Sequence, residues 1–122
     1  MGYKFEALSS RVIEAAIEVH KKLGPGFLEG VYKRAMMVAL THRVIKFEHE
    51  KEVRIIFEDE EVGLHRLDLV VGAEIIVELK ALKALEEIHF AQLKSYLTAT
   101  GLRVGLLFNF NSPRLTVKRV VN

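Results

Sequence analysis

Apolar residues recur along this chain with two periods, and the switch between them divides it into elements. Val12, Ala16, Val19 and Leu23 follow one another at offsets of four, three and four, which is the stripe of an amphipathic helix. Ser9 and Ser10 stand where a cap would open that helix, and Gly24-Pro25-Gly26 stops it. A second helical stripe, Leu28, Val31, Ala35 and Val38, leads to His42-Arg43, with Glu29, Tyr32 and Met36 as a neighbouring stripe. From Ile45 to Phe57 the period falls to two. Ile45 and Phe47, then Val53, Ile55 and Phe57, share one face, as in a half-exposed strand or a bent strand pair. Glu58-Asp59-Glu60-Glu61 reads as a solvated acidic turn.

The stretch LDLVVGAEIIVELK, residues 67–80, then carries two aliphatic runs of strand length broken only at Gly72-Ala73-Glu74, and predicts a β-hairpin. Ala81 to Leu85 is a connector. Glu86 to Thr100 predicts a helix ended by Gly101, with Ile88, Ala91, Leu93 and Leu97 on its apolar side and His89, Gln92 and Tyr96 as one polar-tipped stripe. Arg103 to Asn109 has the apolar continuity of a central strand, and after Asn111-Ser112-Pro113 a closing strand spans Leu115 to Val121. That last strand either closes the sheet or offers an edge for pairing in a homo-oligomer.

Asp68, Glu78 and Lys80 interrupt the apolar hairpin, and ionisable groups are costly to bury unpaired. Alternation puts Glu78 and Lys80 on one face with Leu79 on the other. A tight turn at Ala73 brings Asp68 opposite Glu78. Two close carboxylates repel and raise one pKa unless a cation lies between them, and oxygen-rich sites suit Mg²⁺ or Mn²⁺. A structural ion-pair network explains the same residues. Sixteen acids and ten lysines in 122 positions give about one acid-x-Lys triplet by chance. Both readings stay open on spacing alone. Glu29, in the first turn of its helix, is favoured there by the helix dipole, or faces the same groove as Asp68 and Glu78. His20, Lys21 and Lys22 close the first helix; the two lysines read as solvated end charges.

Composition narrows the class without deciding it. A length of 122 residues, 50% hydrophobic and 28% charged, fits one globular domain over residues 1–122. The absence of cysteine excludes disulfides, thiolate metal sites and cysteine nucleophiles. No apolar run reaches membrane-spanning length, and MGYKFEALSS lacks a signal-peptide pattern, so a cytoplasmic protein with no membrane partner is expected. The net charge of +2 permits a polyanionic partner without requiring one, and the basic excess lies in residues 62–122, with eight basic against five acidic groups.

The chain resembles the GxxExxY proteins of the PD-(D/E)XK nuclease superfamily. The motif stands as Gly26-Phe27-Leu28-Glu29-Gly30-Val31-Tyr32, preceded by Val12-Ile13, Ala15 to His20 and Leu23-Gly24-Pro25. Asp68-Leu69, Ile76-Val77-Glu78-Leu79-Lys80-Ala81, His89 with Ala91-Gln92-Leu93 and Tyr96-Leu97, Thr100 to Leu107, Asn109-Phe110 and Pro113-Arg114-Leu115 continue it. The likeness runs from about residue 11 to the end. Glu14, Lys33 and Asn111 depart from the usual pattern, and Leu67 replaces the proline of the superfamily's name.

The resemblance implies an α/β (α+β) restriction-endonuclease-like domain, a central mixed sheet flanked by helices with an extra N-terminal helix. It implies Asp68, Glu78 and the main-chain carbonyl of Leu79 as ligands of Mg²⁺ or Mn²⁺, with Glu29 completing or flanking the site and His20 in the place of an additional ligand. Lys80 would orient or activate water, and Gln92 and Tyr96 would position substrate or water. The implied function is a metal-dependent nuclease acting on nucleic acid, DNA first. The alternative is an inactive domain of the same fold serving as a nucleic-acid-binding or oligomeric assembly module.

Overall fold

The computed structural model describes residues 6–122. Residues 1–5, the start of the segment read above for a leader, lie outside the described residues. Three helices and five strands follow in the order α1 (Glu6–Leu23), α2 (Glu29–His42), β1 (Phe47–Phe57), β2 (Glu60–Val71), β3 (Ile75–Lys80), α3 (Glu87–Thr100), β4 (Val104–Asn109) and β5 (Thr116–Val121). The strands lie side by side in chain order. Neighbours are antiparallel except β3 and β4, which run parallel because α3 carries the chain back between them. The mixed sheet flanked by helices and the N-terminal helix agree with the expected class.

One apolar cluster joins α1 and α2 to Leu69, Val71, Ile75, Val77, Leu79, Leu106 and Phe108. A second joins Leu93 and Leu97 of α3 to Val53, Leu67, Val70, Ile76 and Leu107. The central strands β3 and β4 are therefore covered on both sides, which is why they read as continuous apolar runs. At Gly105 a Cβ would come within 2.8 Å of the Leu93 side chain, so the missing side chain lets α3 settle close onto β4.

Several helical expectations are corrected. Helix α1 starts at Glu6, so Ser9 is not its cap but lies buried within it, and Leu23 is at the exposed margin. In α2 the inward stripe is Tyr32, Met36, Ala39 and Leu40, while Leu28, Val31 and Val38 are exposed. Tyr32 tolerates burial because its hydroxyl donates to the Gly24 carbonyl at 2.6 Å and accepts the Phe27 N–H at 3.2 Å. Its ring stacks on Phe110 with centroids 4.6 Å apart. In α3, Leu93 and Leu97 are buried, but Ile88 and Ala91 face solvent.

The strands hold a second set of differences. The acidic turn shrinks to Glu58-Asp59, both with positive φ, and Glu60 and Glu61 already belong to β2. Strand β1 is continuous but contains Glu50 at φ 54°. The β1–β2 ladder passes from His49–Leu69 to Lys51–Leu67, skipping Glu50 and Asp68. Across this kink Leu67 packs on the α3 side and Leu69 on the α1–α2 side, although strict alternation would give both one face.

Candidate metal and nucleic-acid site

The kink falls where β2 and β3 part. Their ladder begins beside the Gly72-Ala73-Glu74 turn at Val71–Ile75 and ends at Leu69–Val77. Both Gly72 and Ala73 take positive φ, as a tight hairpin turn requires. One step beyond the ladder stand Asp68 and Glu78. Asp68 does not continue the pairing; its Oδ2 accepts the Leu79 N–H at 2.9 Å. A side chain thereby replaces a main-chain partner, and the two strands open around the carboxylates.

Glu78 is buried, and its Oε1 has no hydrogen-bond partner. Burial first, and then the Asp68 charge, pushes its pKa up to about 9, with Lys80 opposing. Glu29, the first residue of α2, is exposed as a whole, yet partial desolvation of its carboxyl and repulsion from Asp68 raise its pKa, while Lys80 and Lys33 lower it. The four residues Glu29, Asp68, Glu78 and Lys80 thus come from two strands and one helix terminus into one electrostatic unit. Lys33, beside them, is paired with Glu50 at the kink.

Helix α3 supplies the other wall. Glu78 and Lys80 share a recess with Gln92, Tyr96, His89 and His65. His89 is occupied in part by capping α3, its Nδ1 accepting the Glu86 N–H at 2.8 Å. The connector that leads from Lys80 to α3 is pinned by buried Asn109, which accepts the Leu82 N–H and donates to the Leu82 carbonyl, each at 2.9 Å. Phe110 N–H also donates to the Lys80 carbonyl at 2.9 Å. These bonds set the height of Lys80 relative to α3.

His20 lies near the end of α1. It is buried, but its Nε2 donates to the Ser112 carbonyl at 2.8 Å on the β4–β5 connection. That bond gives the ring a structural task. The residue that sequence reasoning missed is His65. Strict alternation puts it on the opposite face from Asp68; the kink brings it round, so its ring stacks on Tyr96 with centroids 3.9 Å apart and its Nε2 lies 3.6 Å from Glu78 Oε1. A histidine inside an apolar strand segment was the available signal.

Among the described residues no three His, Cys, Asp or Glu side chains are already gathered tightly enough to form a metal cluster. A divalent ion nevertheless fits the donor set. Glu78 is a buried carboxyl with an orphaned oxygen, Asp68 uses only Oδ2 for Leu79, and nearby oxygens suit a hard cation.

The sequence matches the profile of the PD-(D/E)XK nuclease superfamily over residues 6–120. The chain belongs to that superfamily. No curated protein is significantly similar to it. Among solved structures, the crystal structure of SSO0001 is similar in fold, with a TM-score of 0.58 at 20% identity over 76% of this chain. The chain spans about half of that protein's length, 49%. No helix among the described residues is long and apolar enough to cross a membrane.

Proposed function

We propose that this chain is a divalent-metal-dependent nuclease that hydrolyses phosphodiester bonds, with DNA as the first substrate to test, and that it falls within the GxxExxY group. The observation that carries this reading is the buried Glu78 carboxyl with an unpartnered oxygen beside Asp68, at the end of a strand whose next outward-pointing residue on that face is Lys80. Buried polar groups are rarely left so, because the desolvation goes uncompensated. A binding site for a cation supplies a reason.

Asp68 and Glu78 hold the ion, Mg²⁺ or Mn²⁺, with the Leu79 main-chain carbonyl as a third donor and Glu29 at its margin. The ion, when bound, would polarise the phosphate and lower the pKa of water. The chain's own groups do the rest. Lys80 brings an ammonium to the phosphate oxygens where charge develops and orients the attacking water. Gln92 and Tyr96 position substrate from α3. Glu29, with its raised pKa, holds a proton more readily than an ordinary carboxyl at the edge of the site. The lack of cysteine is compatible with a cytoplasmic setting.

Titration calorimetry of Mn²⁺ into wild type and Asp68→Ala/Glu78→Ala, alongside cleavage of labelled single- and double-stranded DNA and of RNA, tests the proposal. Metal binding and metal-dependent cutting in wild type, both lost in the double variant, are expected. DNA binding without cutting in the presence of metal would make the chain a nucleic-acid-binding module instead. Absence of metal binding, even with DNA present, would sink the site.

A further inference from the structure

We infer that His65 donates a nitrogen ligand to the divalent ion held by Glu78, and so biases the site from Mg²⁺ toward a first-row transition ion such as Mn²⁺. The inference rests on the metal-site reading above and extends it to a residue outside that donor set.

Three observations converge. The His65 Nε2 and Glu78 Oε1 are both buried and neither has a hydrogen-bond partner. They stand 3.6 Å apart, too far for a hydrogen bond, and the Glu78 side chain is only 8% exposed. Two donors that each reach one ion at about 2.1 Å sit roughly 3 to 4 Å apart, so this gap has the span of a shared ion. Between these residues and Gln92 and Tyr96 lies a recess of about 20 Å³, which meets the requirement of about 10–15 Å³ for one water-sized occupant.

The ring is also held in place for this task. His65 stacks on Tyr96 at an interplanar angle of 9°, which fixes the plane in which its Nε2 lone pair points. A ligating histidine ordinarily has its ring oriented by a hydrogen bond from its other nitrogen; here the stack on Tyr96 restricts the ring. The nitrogen has a predictable effect on selectivity. Mg²⁺ prefers oxygen and gives up water reluctantly, whereas transition ions accept imidazole.

Mn²⁺ binding to the metal-stripped full chain, read by calorimetry and by pulsed EPR, tests this without depending on turnover. Wild type should show nitrogen modulation from one histidine, which changes to the ¹⁵N pattern on ¹⁵N-histidine labelling. In His65→Phe, which keeps an aromatic ring against Tyr96, the modulation should vanish. Mn²⁺ affinity should fall about tenfold or more, with Mg²⁺ affinity changing by less than about threefold. Mn²⁺ binding without nitrogen modulation in wild type overturns the inference and leaves the carboxylate site intact. Modulation that persists in His65→Phe also overturns it and assigns the nitrogen to one of the other four of the five histidines. No Mn²⁺ binding by wild type removes the carboxylate reading and this inference together. Should His65→Phe not fold, NMR of the ¹⁵N-histidine wild type still decides. Selective broadening of the His65 ring nitrogens by substoichiometric Mn²⁺ supports the assignment, and Mn²⁺ binding that leaves them sharp overturns it.

Discussion

The two ends of the β2–β3 hairpin are built from neighbouring residues and obey opposite rules. At the turn end, Val70, Val71, Ile75 and Ile76 are paired in the ladder and at most 2% exposed. Two or three residues away, at the open end, pairing stops, Asp68 takes over a main-chain N–H, and Glu78 is buried with an oxygen left unpartnered. The first end is arranged for burial of apolar surface and completeness of hydrogen bonding. The second carries an electrostatic deficit that a bound cation would relieve. On the proposed function, stability and chemistry are thus separated along a single hairpin, the apolar end anchoring the strands that hold the carboxylates together.

Exchanging Glu78 for Gln should break this contrast most strongly. Metal-dependent cleavage should fall at least about 10²–10³-fold, the scale for losing a preorganised charge-stabilising group. In the presence of chelator the stability effect should have the other sign. The folded-state pKa of Glu78, about 9, lies above its ordinary 4.5, so its contribution is fully present below pH 4.5 and is lost as pH rises through about 9. At pH 7 the folded protein keeps Glu78 protonated while the unfolded chain ionises it, which costs at most about 3 kcal/mol of stability. Chemical denaturation of the metal-free wild type from pH 5 to 9 should therefore show declining stability, and Glu78→Gln should flatten that decline. Added Mn²⁺ should stabilise wild type and leave the variant unchanged. A wild-type profile that is flat over this range would mean that the Glu78 site is not desolvated.

Truncation at the other end should do the reverse. Ile76 is fully buried between β3's neighbours and α3, and Ile76→Ala should cost about 2–5 kcal/mol. Metal affinity of the fraction that remains folded should change little, because Ile76 shares the face of Glu78 but lies inside the ladder, paired with Val70, and carries no donor. Calorimetric unfolding and Mn²⁺ titration on the same sample check both halves. A smaller loss is expected for Gly105→Ala. The added Cβ would meet Leu93 side-chain atoms at 2.8 to 3.0 Å, and overpacking of this kind costs about 1–3 kcal/mol. Because Leu93 is the neighbour of Gln92 on α3 and both line the recess, this variant should also raise KM for nucleic acid more than it lowers metal affinity.

The sequence made the turn end fully legible. Aliphatic runs with a single break can form little other than a hairpin, and the hairpin's tight turn put Asp68 opposite Glu78 through chain geometry alone. The central position of β4 was legible for the same reason, since a strand buried on both faces is apolar throughout. What alternation could not reveal was the kink. Period-two reasoning gives Leu67 and Leu69 one face, whereas Glu50 at positive φ and the skipped Glu50–Asp68 pair divide them. His65 was lost by that one-residue error. Helix faces were misjudged where apolar residues occur on more than one side: in α2, Val31 and Val38 offer as good a stripe as Met36 and Leu40, and only tertiary partners choose between them. His20 illustrates a different limit, because its partner is a main-chain carbonyl 92 positions away, and no local pattern encodes that.

Tyr32 sharpens the comparison with the smallest expected effect. It belongs to the same Gly26–Tyr32 motif as Glu29, and a motif read as a unit would give both residues to the chemistry. Their surroundings separate them. Glu29 responds to the charges of Asp68 and Lys80, whereas Tyr32 is fully buried against Phe110 and ties its hydroxyl to the loop at Gly24 and Phe27. That loop sets where α2 begins, and therefore where Glu29 stands. Tyr32→Phe keeps the stacked ring and removes only the hydroxyl, so unfolding free energy should fall by about 0.5–1.5 kcal/mol, the net value of a hydrogen bond, or somewhat more if the Gly24 carbonyl is left dry. Mn²⁺ affinity should stay within about twofold of wild type, a difference of about 0.4 kcal/mol. Glu29→Gln should give the complementary result, with little change in stability and a measurable change in metal affinity or turnover. If Tyr32→Phe instead abolished metal binding while leaving the fold intact, the loop anchored by Tyr32 would belong to the site itself, and the division between anchoring and chemical residues drawn along the hairpin would not extend to α2.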